Sequence, residues 1–219
     1  MVRLIIKDIL LMKKTLLICM AYIVFIIFAF QSMGAGAFAT GVTAATYMLV
    51  ITACAYEDKN RSDIVINSLP IRRQTVVLAK YLSVYVYIAL SAVAYGAATT
   101  VLPLLKAPIT VYPLSIEIFI SGVSAAALLS SVFLPIFFKF GYMKSKLVNF
   151  ILFFSAFAFA GFLGNALMRG GVLENLNKYV VILSQQPDWT IAALIILVIF
   201  AIQFVSYQLA VAFYKKREF

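Results

Sequence analysis

The chain has 219 residues, of which 64% are apolar and only 12% charged, with no histidine and a formal net charge of +10. That balance excludes a soluble globular domain. The missing histidine excludes Ser-His hydrolase arrangements, HExxH zinc sites and histidine proton relays.

In chain order, the first element is an amino-terminal amphipathic segment. Arg3, Lys7 and Lys14 share one helical face, and Ile5, Ile9 and Met12 lie roughly opposite. The pattern suits a helix lying in the membrane interface, and it equally suits a basic flank of the first span. No small-residue cleavage site follows, so the first apolar run reads as a retained span.

A helix rises about 1.5 Å per residue and the hydrocarbon core is about 30 Å thick, so each crossing needs about 20 residues. Six stretches qualify, approximately Thr15 to Gln31, Phe38 to Tyr56, Tyr81 to Leu105, Ile116 to Phe138, Leu147 to Met168 and Thr190 to Tyr214. Their continuous apolar runs specify helices, because barrel strands would alternate polar and apolar residues. The expected fold is therefore an all-α integral membrane protein with six transmembrane helices, an N-terminal interfacial helix and a short cytoplasmic helix. It is expected to form a single transmembrane domain over 1–219, since the short connections leave no room for another.

Particular residues within the spans carry local expectations. Cys19 and Cys54 lack metal or redox spacing and read as small packing residues. Pro135 removes a bond to the carbonyl of Ser131 and predicts a kink there. Ala156, Ala160 and Gly164 form a small-residue stripe that suits either a neighbouring helix or the seam of a dimer. Between Arg169 and Trp189 the sequence suits a short external amphipathic helix, with Tyr179 and Trp189 at the interface.

Fifteen basic residues fall on the side shared by the two termini and three, Lys106, Arg169 and Lys178, on the other. This asymmetry predicts cytoplasmic termini and makes the net charge topological, with no pattern that reads nucleic acid. All eight acidic residues, Asp8, Glu57, Asp58, Asp63, Glu117, Glu174, Asp188 and Glu218, lie at span ends or in loops. An intramembrane aspartyl protease has no carboxylate pair, and ion-coupled transport loses its usual buried charges. No GxxxxGK[ST] loop occurs either, so uphill transport would need energy from a partner, and no cofactor is expected in this chain.

The longest cytoplasmic connection, about 57–75, offers a surface for that partner. Ser62 or Asp63 caps a short helix that Pro70 ends, and a helix this short needs docking to be stable. Val65 and Leu69 lie one turn apart, and Ile64 adds an apolar side chain that a solvated turn does not require. Composition alone also fits a polar turn carrying topological charge.

This connection, with Glu57 leaving the second span, the Lys59-Asn60 turn, Asn67-Ser68-Leu69-Pro70-Ile71-Arg72-Arg73 and Leu78-Ala79-Lys80-Tyr81-Leu82, resembles the signature of small permease subunits of the ABC-2 class of ABC transporters. Within that class it resembles bacterial permeases that export phenol-soluble modulins, which are amphipathic peptides. The specific match covers roughly 26 residues, and the six-span layout extends a weaker match over the chain. Where the usual pattern has a single basic residue this chain has two, so either Arg72 or Arg73 takes the family's place.

The resemblance implies an ATP-driven exporter in the bacterial cell membrane. Two permease copies pair, or one pairs with a related permease, and each meets a cytoplasmic ATPase that binds ATP and Mg. The coupling helix falls at about Ser62 to Leu69, flanked by Glu57, Pro70, Arg72 and Arg73, with Asp63, Ile64, Val65 and Asn67 within it. A non-transporting scaffold, assembly or immunity subunit fits an ion-poor helix bundle equally well. A lipid-modifying enzyme does not, because no acid, base, metal or nucleophile constellation is present.

Overall fold

A computed structural model describes residues 2–30, 34, 36–68, 70–104, 115–169 and 188–217; at 2, 3, 11, 13, 14, 63, 64, 67, 149, 152–169 and 188 it describes the backbone alone. Among the described residues there is no strand. The helices are α1 (Val2–Leu11), α2 (Lys13–Ala29), α3 (Gly36–Lys59), α4 (Ser62–Ser68), α5 (Arg73–Leu104), α6 (Ile116–Arg169) and α7 (Asp188–Lys216).

Four described helices are long and apolar enough to cross a membrane: Gly36–Lys59, Arg73–Leu104, Ile116–Val148 and Trp189–Lys216. The pair Leu4–Leu10 and Thr15–Ala29, bent by 70°, makes a fifth if counted as one span. The sequence led to six. The remaining stretch, Leu147 to Met168, is helical backbone within α6, but nearly all its side chains lie outside the described residues. The segment proposed as an external helix after Arg169 also lies outside them.

Buried side chains place α3 at the centre, packed against α2, α5 and α6. Ala45, Leu49, Val50 and Cys54 of α3 are all within 1% of full burial, and Cys19 of α2 joins the same core. The close approach of α3 to α6 depends on Gly122: a methyl there would sit 3.3 Å from the backbone of Ala39. Small residues let helices touch backbone to backbone in this way when lipid offers no hydrophobic drive for association. Beside that contact the Phe38 ring meets the Tyr95 ring edge-on at 5.1 Å.

Helix α6 has two irregularities. Gly141 adopts φ 76°, ψ 176°, a conformation open essentially only to glycine, and this is where two helices join. The expected kink at Pro135 is not where the break falls, because the dihedrals there remain helical. The carbonyl that Pro135 cannot serve is satisfied from another helix. Ser206 of α7 donates its hydroxyl to the Ser131 oxygen at 2.6 Å, and Tyr81 of α5 lies 2.6 Å from the same hydroxyl. One turn away Gln203 Nε2 donates to the Ala127 oxygen at 2.9 Å. In an apolar bundle an unserved carbonyl is costly, so these bonds hold α5, α6 and α7 in register.

Replacing Ser206 with Ala should therefore destabilise the protein by about 1 kcal/mol. The cost should shrink in a Pro135→Ala background, where residue 135 regains an N–H for the Ser131 oxygen. Unfolding by a denaturing detergent, followed for the wild type, both single variants and the double variant, measures the coupling. Equal Ser206→Ala costs in both backgrounds would show that the freed carbonyl is not what Ser206 serves.

Candidate functional site

The site is the turn from α3 through α4 into α5, together with the side chains directly beneath it. Helix α3 ends at Lys59, and Arg61, with φ 47°, sits in the left-handed region that turns the chain out of a helix end. The Arg61 N–H bonds the Asp58 carbonyl at 3.1 Å, closing the turn. Helix α4 then covers Ser62–Ser68, close to the Ser62 to Leu69 expected for the coupling helix. Pro70 follows in a bend, and α5 begins at Arg73, eight residues before the expected start of the third span.

The earlier start of α5 alters the chemistry of the site. Lys80 is no loop cation; it sits in the third turn of α5 and is only 6% exposed. Its ammonium lies 2.6 Å from Glu57 of α3 and 3.0 Å from Asp8 of α1, and Asp8 also meets Lys7 at 3.3 Å. The cluster thus ties three helices through one buried charge. Burying an ion is tolerable only with close, hydrogen-bonded counter-charges, and here the Lys80 ammonium has two carboxylates.

Helix α4 rests on this cluster. Ile66 is 5% exposed and shares a cavity of about 20 Å3 with Asp8, Glu57, Lys80, Val76 and Phe138. Val65, the residue before it, points away from this contact and is 61% exposed. A seven-residue helix is not stable alone, so the Ile66 contact is what seats it. The Ser68 hydroxyl bonds the Val65 carbonyl at 2.8 Å and serves part of the last turn.

The two arginines after Pro70 part company. Arg72 is exposed, whereas Arg73 is half-buried and its Nη1 donates to the carbonyls of Tyr214, Lys215 and Arg217, at 3.2, 2.9 and 3.3 Å. A helix leaves its last carbonyls unserved and carries partial negative charge there, so a guanidinium is well matched to the end of α7. Its plane also lies 5.9 Å from the centre of the Tyr214 ring. Nearby, Gly141 turns α6 where a side chain would come within 3.2 Å of the Arg217 guanidinium.

Of the residues singled out in the connection, Glu57 is half-buried and engaged with Lys80, Ser62 is half-buried, Val65 and Pro70 are exposed, and Arg73 caps α7. The side chains of Asp63, Ile64 and Asn67, and the whole of Leu69, lie outside the described residues, as do the side chains of Ala156, Ala160 and Gly164. Sequence reasoning missed the Asp8, Glu57 and Lys80 cluster. Its signal was two acidic residues and a lysine in the segments just outside three apolar runs, which the charge asymmetry absorbed as loop charge. No group of three or more metal-binding side chains occurs among the described residues.

A family profile described as ABC-2 family transporter protein matches residues 3–215. The chain belongs to the ABC-2 transporter family. No curated protein and no solved structure matches it. It is thus a multi-pass membrane protein and a permease subunit of an ABC transporter, and the connection between α3 and α5 is a feature of that ABC-2 permease.

Lys80→Met should leave Glu57 without its partner and Asp8 with only the half-exposed Lys7, and should destabilise the ABC-2 permease by about 3 to 5 kcal/mol. Adding Asp8→Asn and Glu57→Gln removes the stranded charges and should recover much of that loss. Thermal unfolding in detergent tests both. A Lys80→Met protein as stable as the wild type would mean that the cluster is solvated.

Proposed function

We propose that this permease is the membrane subunit of an ATP-driven exporter, that α4 is its coupling helix, and that ATP and Mg bind to a separate cytoplasmic ABC ATPase. The observation that carries the reading is the two-sided packing of α4. Ile66 is buried on the ion cluster while Val65 of the same helix is exposed. A push on the Val65 side passes through Ile66 to α1, α3 and α5 together, because Lys80 holds all three. The positive-inside asymmetry supports the same reading, since it puts this end of the bundle, and both termini, in the cytoplasm.

The cargo proposed is an amphipathic or hydrophobic peptide. The resemblance to peptide-exporting permeases supports it, as does a bundle rich in Phe, Tyr, Ala, Ser and Thr that lacks charge along the upper spans.

An apolar side chain buried at the ATPase contact is worth about 1.5 to 3 kcal/mol, whereas an exposed ion pair there is worth about 0 to 1. Val65→Asp and Leu69→Asp should therefore release or uncouple the ATPase, and Lys59→Gln or Arg61→Gln should change little. Each variant is reconstituted with the ATPase, and complex retention and substrate-stimulated ATP hydrolysis are measured together. Wild-type values for both aspartate variants would make the segment a solvated loop.

The permease is further proposed to pair with a second copy through the stripe Ala156, Ala160 and Gly164, which recurs every four residues and permits close helix approach. Gly164→Leu should separate the helices and shift the detergent-phase mass from dimer towards monomer. A wild type that is wholly monomeric even with its ATPase bound would overturn this pairing.

A further inference from the structure

Helices α5 and α7 run antiparallel and are pinned together along one half of their length. Arg73 holds the carbonyls at the end of α7, the Tyr81 hydroxyl meets Ser206, and the Tyr81 and Tyr207 rings meet edge-on at 5.7 Å. Beyond these contacts, from Tyr85 onward, a cavity of about 370 Å3 opens, with Tyr85 the only residue of α5 in its wall. Phe119, Val123 and Ser124 of α6 form one side, and Ile196 and Phe200 of α7 form the other. No lining residue is charged.

The position of this groove limits what can fill it. It lies about 12 to 18 Å along α7 from Asp188, which is hydrocarbon depth for a helix that crosses the bilayer. Phe200 is 69% exposed, and only 11% of the most apolar stretch of α7 is buried, against 56% for α3 and α5, so among the described residues the groove opens sideways to lipid. Protein interiors do not keep gaps of this size, and an apolar one does not hold water. Its volume falls within the range of ligand sites.

We infer that the groove between α5, α6 and α7 is a binding site for one acyl chain of a membrane lipid, entering from the leaflet opposite α4. The chain wedges the free half of α7 away from α5. Because Arg73 and Ser206 hold the other half of α7, the occupant sets the angle between two helices that meet at the base of the α4 segment. The site is independent of the export reading, and its test requires no ATPase.

The test uses the full chain reconstituted in phosphatidylglycerol vesicles containing a lipid with a photoactivatable diazirine in mid-chain. Illumination followed by peptide mapping should label Phe119, Val123 and Ile196 several-fold more than Leu194 and Val198, which are exposed on α7 at the same depth but outside the groove. Ser124→Phe, filling the groove from α6, and Ile199→Trp, filling it from α7, should each lower groove labelling several-fold and leave Leu194 and Val198 unchanged. If both variants fail to fold, the ratio within the wild type still decides. Equal labelling of groove and bare face, or labelling indifferent to both substitutions, would overturn the site. Displacement of the label by an amphipathic peptide but not by excess unlabelled lipid would assign the groove to cargo and overturn the lipid assignment.

Discussion

A lysine ammonium placed among apolar helices has to be neutralised where it sits, and Lys80 is neutralised by carboxylates from two other helices. Everything at the α4 end of the bundle follows from that requirement. Glu57 must lie at the close of α3, Asp8 must turn inward from α1, and α1 must bend 70° from α2 to bring it there. The result is a compact floor of charge and hydrocarbon. Ile66 settles on it, and α4, too short to hold its shape alone, becomes an ordered helix.

The all-helical membrane fold was legible in the sequence because long apolar runs have few other solutions, and the helix at Ser62–Ser68 was legible because Pro70 stops it. The charged cluster was not. Hydropathy marks where a span becomes apolar, and Lys80 precedes that point, so it read as loop charge although its helix begins seven residues earlier at Arg73. Pairing between distant segments leaves no periodicity to find. Pro135 shows the complementary case. Its lost hydrogen bond is predictable from chemistry, but the partner that makes good the loss, Ser206, lies 75 residues away along the chain. A kink was therefore the natural expectation, and the sharp turn fell at Gly141, where φ is positive.

Small residues tell a similar story. The stripe in the fifth apolar run drew attention because its spacing is regular, yet a close approach to backbone among the described helices falls elsewhere, at Gly122 against Ala39. A single glycine opposite a small residue suffices for two helices to touch. Arg72 and Arg73 are likewise indistinguishable as letters, and only the arrival of the α7 carbonyls separates their roles.

The order in which ribosomes deliver the chain gives the Ser206 bond another meaning. Helix α6 emerges and meets the bilayer before α7 exists, and during that interval the Ser131 carbonyl has neither its own helix nor Ser206 to serve it. The nascent protein therefore carries an unserved carbonyl at Ser131 that its later-made helix repairs, while the end of that helix finds its own cap waiting in Arg73 of α5. A permease whose synthesis stopped before residue 206 would leave that carbonyl unserved in hydrocarbon, so the last helix completes the bonding of the one before it.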